Sequence, residues 1–181
     1  MKKPDNPFVL STYHGKDYFC DREDDLIALQ EHIKNGRNVV LYAWRRLGKS
    51  ALVHRFFEEL EGSGEYETLY VDFLGAISME DAIKELSSAV FERFGKNKSG
   101  INATIQKLIS SIGATISFDP ISGTPTLNLG LSPSGTEEQS LHALGEFLDQ
   151  RKKRVVVAID VLQQLDTYSD TNAEAMFRTW V

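Results

Sequence analysis

The chain contains 181 residues, carries a formal net charge of -6 and is 41% hydrophobic, which is ordinary for a globular protein. Its length fits one domain over residues 1–181 with a substantial core. The acidic balance disfavours nucleic acid as the main ligand, and no apolar run is long enough to cross a bilayer. Cys20 is the single cysteine, so no internal disulfide can form, and a reducing, cytoplasmic setting without a membrane partner is predicted.

A first helix is predicted after Asp21, whose side chain is a good N-cap acceptor for free backbone N–H groups. Leu26, Leu29 and Ile33 recur at helical spacing and form one apolar stripe. Gly36 follows the last of them and predicts the end of the helix.

A short apolar run and a second helix come next. Residues 38–43, NVVLYA, indicate a buried strand, and a charged turn leads from them into helical spacing around Ala51 and Leu52. Residues 67–73, ETLYVDF, predict a second strand.

Two further helices and a hairpin are predicted in the middle of the chain. Ser78 and Asp81 match a capping box at the start of a helix that ends at Gly95. Another helix is predicted over residues 101–112. Within 112–132 the apolar period changes to two on both sides of a proline-containing turn, which predicts a β-hairpin inserted between helices.

The last part of the chain predicts a helix and a buried strand. Thr136 and Gln139 match a second capping box, and residues 154–160, RVVVAID, indicate a strand of the parallel-sheet type. The basic run at 151–154 complements the helix dipole, which we favour over a nucleic-acid patch. Strands that alternate with helices predict an α/β fold with a parallel sheet and right-handed crossovers.

The charged turn at residues 43–50 is close to the phosphate-loop pattern G-x-x-x-x-G-K-[ST]. Gly48, Lys49 and Ser50 fit it, and Ala43 occupies its first glycine position. Such a loop needs backbone N–H donors, a helix N-terminus, a lysine for the β- and γ-phosphates and a hydroxyl for Mg²⁺. A basic turn without a ligand is the alternative, but it leaves the position of G-K-S at a helix start unexplained.

Asp160 supplies a carboxylate at the end of a buried strand. Ligands of parallel sheets bind beyond the carboxyl ends of the strands, and Mg²⁺ in nucleotide sites also uses a carboxylate. Asp160 and the loop together therefore predict a site for a nucleoside triphosphate with Mg²⁺.

Three segments resemble the archaeal-type ATP-binding proteins of the STAND and AAA-like P-loop NTPase superfamily. Residues 6–24 are similar to the family's N-terminal segment, residues 41–52 to its Walker A region and residues 155–165 to its Walker B region. The resemblance implies a three-layer α/β/α parallel sheet with the hairpin of residues 112–132 inserted. It also implies the N-terminal part of a longer ATPase, with an incomplete sheet and without the family's C-terminal winged-helix-like domain.

The same resemblance implies ATP and Mg²⁺ as ligands. Lys49 matches the phosphate lysine, and Ser50 and Asp160 match the metal ligands. The segment from Phe19 to Arg22 matches the stretch near the base. The residues implied to contact the nucleotide are Ala43, Trp44, Arg45, Arg46, Leu47, Gly48, Lys49, Ser50, Ala51, Asp160 and Arg22.

The chain departs from the resembled family at three points. Trp44 stands where relatives commonly have proline. Val161 stands where the family has a glutamate that polarises the attacking water, so weak or absent hydrolysis is predicted. In the resembled fold, the strand between residues 38–43 and 154–160 comes from sequence beyond Val181, so an unfilled slot in the sheet is predicted.

Two other functions stay open. A nucleotide-gated scaffold or signalling module, whose ATP occupancy is read by a protein partner or by a second copy, is favoured by Val161. A DNA-associated module is suggested by the winged-helix domain of relatives and weakened by the net charge of -6.

Overall fold

A computed structural model describes residues 13–44, 46–97, 100–101, 105, 108–110, 112, 114–118, 125–129, 137–168 and 172–180. Their contacts divide the chain into two compact units, Met1–Thr68 and Leu69–Val181. The single domain over residues 1–181 stays a prediction. Within the described residues, no helix has the length and apolar character needed to cross a membrane.

The helices and strands alternate along the chain. The α-helices are α1 Glu23–Lys34, α2 Lys49–Ser63, α3 Met79–Phe94, α4 Glu137–Asp149 and α5 Ala173–Trp180. The strands are β1 Tyr66–Asp72, β2 Lys96–Asn97, β3 Gly100–Ile101, β4 Ala114–Phe118, β5 Pro125–Leu129 and β6 Arg154–Asp160. Lys16–Tyr18 and Leu162–Thr167 form 3-10 helices. Ile105 and residues 108–110 are also helical, inside the segment for which a helix is predicted.

The first unit is built on α1 and α2, which contact each other. α1 buries Leu26 and Leu29, as their helical spacing predicts. Gln30 on α1 donates a side-chain hydrogen bond of 2.8 Å to Glu59 on α2. The apolar stripe of α2 consists of Leu52, Phe56, Phe57 and Leu60, all of which are buried.

The predicted cap of α1 is wrong. The helix begins at Glu23 with Arg22 as N-cap residue, and no side chain makes the cap hydrogen bond. Asp21 lies one residue too early and has a φ of 64°. Arg22 instead donates to Asp25 at 2.6 Å. The acidic residues of the first turn favour this end of the helix through its dipole, so α1 forms without the cap.

The predicted strand at residues 38–43 does not form. The structure describes residues 37–44 without strand pairing, and Val40 is 81% and Tyr42 99% exposed. An apolar run becomes a strand only where neighbouring strands satisfy its backbone groups, and among the described residues none pairs with this run. The prediction of a paired strand in this run is therefore wrong among the described residues, whereas the slot expected between residues 39–42 and 155–159 stays a prediction.

β1 and β6 form a parallel pair, and the second unit contains all of β6 and the part of β1 from Leu69 onward. The backbone N–H of Phe73, just after β1, donates to the carbonyl of Asp160 at 3.1 Å. The capping box of α3 is confirmed, since Ser78 Oγ accepts a hydrogen bond from the N–H of Asp81 at 3.2 Å. Gly95 is the C-cap residue of this helix, as predicted.

The predicted hairpin segment forms an antiparallel pair. β4 and β5 pair with Ile116 opposite Leu127, and the short strands β2 and β3 form a second antiparallel pair. Thr136 lies outside the described residues, and α4 begins directly after it at Glu137. The core of this unit gathers apolar side chains of β1, α3, α4, the second 3-10 helix and α5.

The structure confirms a mixed α/β fold with a short parallel sheet, in which the carboxyl ends of β1 and β6 lie side by side. The three-layer arrangement stays a prediction.

Candidate functional site

The loop of residues 43–50 ends at the first turn of α2. Gly48 is the N-cap residue and adopts the left-handed conformation, with φ 72° and ψ 23°. Its carbonyl accepts the first helical bond, from Leu52 N at 2.9 Å. A side chain at this φ is strained, so glycine is the residue that lets the backbone turn into the helix here. Lys49 and Ser50 are therefore the first two residues of the helix.

The start of α2 has an electrostatic character that suits an anion. The first N–H groups of a helix have no partner within it and carry the positive end of the dipole. α1 and α3 each have acidic residues in the first turn, whereas α2 has none. Its first residue is Lys49. Phosphate groups are the ligands that such a helix start most often receives in proteins.

Lys49 is folded back over the loop. Its Nζ atom donates hydrogen bonds to the carbonyl oxygen of Ala43 at 2.7 Å and to that of Trp44 at 3.3 Å. The ammonium group thus joins the beginning of the loop to its end, and it is half-buried. A cation held in this way stabilises a closed loop around the helix start.

Arg22 is connected to the same loop. Its guanidinium donates a hydrogen bond to the carbonyl of Leu47 at 2.9 Å. It also forms an ion pair with Asp25, with an N···O distance of 2.6 Å. The sequence predicts Arg22 near the base of a nucleotide, and the structure brings it to the loop. Arg45 lies outside the described residues.

The other predicted loop residues are more exposed. Trp44 is 85% and Leu47 55% exposed, and Arg46 has a positive φ of 65°. Ser50 is exposed at the helix start, whereas Ala51 is partly buried in the helix. The exposed residues of the loop and the exposed Ser50 thus lie at or directly before the start of α2.

The second unit holds the predicted acid. Asp160 is the last residue of β6 and is half-buried. The Tyr70 hydroxyl donates to its Oδ2 atom at 2.5 Å, and the N–H of Val161 donates to its Oδ1 atom at 2.9 Å. Both carboxylate oxygens are therefore held by donors from the protein.

Val161, which follows the acid, has an unusual backbone. Its φ of 58° and ψ of 36° lie in the left-handed region, which a β-branched residue rarely adopts. Its carbonyl accepts a hydrogen bond from Gln164 N at 2.9 Å, inside the 3-10 helix that begins here. Strain of this kind concentrates at functional sites, and here it lies directly beside Asp160.

Sequence reasoning missed Tyr70. The signal that could have indicated it is the alternation of side-chain faces along β1. Leu69 and Val71 are each 2% exposed, and they lie on the face opposite Tyr70. A tyrosine between two core positions presents a hydroxyl to the other face of the strand. Its partner, however, is 90 residues away in sequence, so no local pattern indicates it.

The donor chemistry of Ser50 and Asp160 fits Mg²⁺. A hydroxyl and a carboxylate are hard oxygen donors, and Mg²⁺ in nucleotide sites takes its other ligands from phosphate and water. Among the described residues, no group of three or more His, Cys, Asp and Glu side chains is placed to hold a metal ion. Ser50 belongs to the first compact unit and Asp160 to the second.

Two comparisons with known proteins found matches to this chain. The family model for an ATPase domain predominantly from Archaea matches residues 19–178. The solved structure of a Walker-type ATPase of Pyrococcus abyssi matches with a TM-score of 0.53 and 20% identity, over 97% of this chain and 44% of that chain. At this identity the likeness concerns the fold alone, and the chain spans less than half the length of that protein. None of the curated proteins matches the chain significantly.

Proposed function

This chain belongs to the family of ATPase domains found predominantly in Archaea, and we propose that it binds ATP with Mg²⁺ through the loop of residues 43–50. The observation that carries the proposal is the start of α2. There a left-handed Gly48 leads into a first turn that contains Lys49 and no acidic residue. Backbone N–H groups, the helix dipole and a lysine are the parts that a triphosphate requires.

Each residue then has its own role. Lys49 is assigned to the β- and γ-phosphates, and Ser50 and Asp160 are assigned to Mg²⁺. When bound, Mg²⁺ neutralises charge on the phosphate oxygens. Arg22 supports the loop through the Leu47 carbonyl. The exposed loop residues Trp44, Arg46 and Leu47, together with Arg45 and Ala51, complete the nucleotide-binding segment.

The proposal includes the finer features of the resembled superfamily. These are a P-loop NTPase of the STAND and AAA-like type, a three-layer α/β/α sheet and a cytoplasmic setting. The parallel pair of β1 and β6, with an acid at its carboxyl end, supports this assignment.

We further propose that hydrolysis is weak. Val161 has no acceptor that could polarise an attacking water, and its position directly after Asp160 is where the resembled family places a glutamate. Phosphate release should therefore be slower than about 1 s⁻¹, the lower end of ordinary enzyme rates. Val161→Glu should not restore full activity, because it supplies the acceptor for the attacking water and no other part of the hydrolytic site. Release at ordinary enzyme rates by the unmodified chain would contradict the proposal of weak hydrolysis.

The binding proposal is tested by calorimetry with ATP and Mg²⁺. Lys49→Ala should abolish measurable binding, since it removes the cation assigned to the phosphates. The matched control is Lys152→Ala, which removes the same charge from an exposed loop in the second unit. Equal affinity of the unmodified chain and Lys49→Ala would show that the site is assigned wrongly. If both variants lose ATP affinity, the loss results from the change in net charge and not from a specific contact of Lys49.

One observation favours a second candidate function. Val40, Tyr42 and Trp44 are 81%, 99% and 85% exposed, next to the candidate phosphate loop. Exposed apolar side chains in one segment are typical of interaction surfaces. A nucleotide-gated scaffold would use this segment to contact a protein partner or a second copy. Partner binding that changes with ATP and persists without phosphate release would favour this function over an ATPase.

A further inference from the structure

We propose that Tyr70 is a positioning residue that orients the Asp160 carboxylate for Mg²⁺. The proposal rests on the proposed function, because it assumes that Asp160 faces the metal of a bound Mg-ATP. It adds a residue to that site for which neither the loop pattern nor the family comparison provides a role.

The geometry around Asp160 is well defined. Tyr70 lies within β1 and Asp160 at the end of β6, and these two strands pair in parallel. The phenol donates to Oδ2 at 2.5 Å, which is at the short end for a hydrogen bond to a carboxylate. The backbone of Asp160 is fixed as well, because its carbonyl accepts the N–H of Phe73 at 3.1 Å.

Two donors hold the carboxylate from different elements. Val161 N–H donates to Oδ1 from the residue next in sequence, while Tyr70 donates to Oδ2 from the neighbouring strand. Rotation of the carboxylate about its Cβ–Cγ bond would weaken both hydrogen bonds. Each carboxylate oxygen has two lone pairs, so accepting a hydrogen bond does not by itself prevent an oxygen from binding a metal ion or a metal-bound water.

The Tyr70 hydroxyl is the part of the side chain that acts in this way. The apolar contacts of β1 with the core come from Leu69 and Val71, each 2% exposed, while Tyr70 is half-buried on the other face. Without the hydroxyl, Asp160 keeps the Val161 N–H donor at Oδ1 but loses the Tyr70 donor at Oδ2, so the carboxylate is held less firmly from the neighbouring strand. Partners of metal-binding side chains typically contribute tenfold to a hundredfold to metal affinity.

The test is Tyr70→Phe, which removes the hydroxyl and keeps the ring. ATP affinity is measured by calorimetry once with Mg²⁺ and once with a chelator, and the ratio gives the contribution of the metal. We expect that ratio to fall by about tenfold, with the affinity in chelator unchanged. The EPR spectrum of Mn²⁺ bound with ATP should also change its line shape, because one metal ligand becomes less ordered.

The matched control is Tyr66→Phe, a buried tyrosine of the same strand. It should leave the ratio and the EPR spectrum unchanged. A double-mutant cycle with Asp160→Asn separates positioning from folding, since Tyr70→Phe should have no further effect on the ratio once the carboxylate is gone. If Tyr70→Phe lowers the ratio equally in the unmodified chain and in Asp160→Asn, the proposal is overturned.

Failure of the two proposals can be distinguished. If Lys49→Ala retains ATP binding, the proposed function itself is wrong. If Lys49→Ala abolishes binding but Tyr70→Phe has the same ratio of ATP affinities with Mg²⁺ and with chelator as the unmodified chain, then only the role of Tyr70 is wrong.

Discussion

The Nε1 atom of Trp180 lies 2.8 Å from the point where a Cβ atom on Gly145 would stand. Gly145 is inside α4, and Trp180 is the last residue of α5. Gly145→Ala should lower the free energy of unfolding by about 1–3 kcal/mol, because the added methyl group overlaps the indole ring of a packed core. Urea unfolding followed by tryptophan fluorescence measures this effect.

Gly62→Ala is the control for the previous substitution. Gly62 is also helical, near the end of α2, but a Cβ atom there would meet nothing within 4 Å. Alanine should therefore stabilise the protein by about 0.5–1 kcal/mol through helix propensity. If Gly145→Ala raises the free energy of unfolding as much as Gly62→Ala does, the contact with Trp180 is not present in solution.

Ser78→Ala should destabilise the protein by about 1 kcal/mol. Its hydroxyl is the N-cap acceptor of α3 and receives the N–H of Asp81 at 3.2 Å. Alanine leaves that N–H without its capping partner. Thermal or urea unfolding gives the change directly.

Ser87→Ala is the matched comparison in the same helix. Ser87 is 2% exposed, and its hydroxyl has no hydrogen-bond partner among the residues that the structure describes. Removing a buried, unpaired hydroxyl is nearly neutral or stabilising. A loss at Ser87 as large as that at Ser78 would show that Ser87 does have a partner in solution.

The parts of the fold that were predicted from sequence are those with a local signal. The capping box of Ser78 and Asp81 lies within four residues, and the antiparallel pair of β4 and β5 follows from apolar residues at every second position. The phosphate-loop pattern at Gly48 and Lys49 also coincides with a helix start. Each of these signals is complete within a short stretch of chain.

The parts that failed depend on partners distant in sequence. Residues 38–43 have the composition of a buried strand, but whether a strand forms depends on neighbouring strands that the run itself cannot specify. The hydrogen bond of Tyr70 to Asp160 is likewise set by the pairing of β1 with β6. Asp21 failed for another reason, because helix ends shift by one or two residues without much cost.

The stability of the protein should depend on Tyr13 at high pH. Burial and the hydrogen bond that its hydroxyl donates to Glu58 raise the pKa of Tyr13 to about 12 from its ordinary value of 10.0. The folded state therefore favours the neutral phenol. Its contribution to stability is complete below pH 10 and is lost as the pH rises from 10 towards 12.

Tyr13→Phe tests this dependence by urea unfolding at several pH values. The variant should be less stable than the unmodified chain below pH 10, and the difference should shrink between pH 10 and 12. Tyr42→Phe is the control, because Tyr42 is 99% exposed and its replacement should leave the pH dependence unchanged. A difference for Tyr13→Phe that stays constant up to pH 12 would contradict the pKa shift.

The segment of residues 38–44 should cause association between copies. Its backbone has no strand partner among the described residues, and Val40 and Tyr42 are 81% and 99% exposed. Unpaired backbone groups beside apolar side chains favour edge-to-edge pairing of chains. Light scattering should therefore show species larger than the monomer, in an amount that increases with concentration.

Val40→Lys should suppress this association, because a charged side chain on an unpaired segment opposes pairing between chains. Ile27→Lys is the matched control, since Ile27 is a similar apolar side chain, 63% exposed on α1, where the backbone is already hydrogen-bonded within the helix. It should leave association unchanged. If Ile27→Lys disperses the chain as well as Val40→Lys does, association depends on general surface hydrophobicity. If the unmodified chain is a monodisperse monomer with strongly protected amides in residues 38–43, this segment has found its strand partners within one molecule.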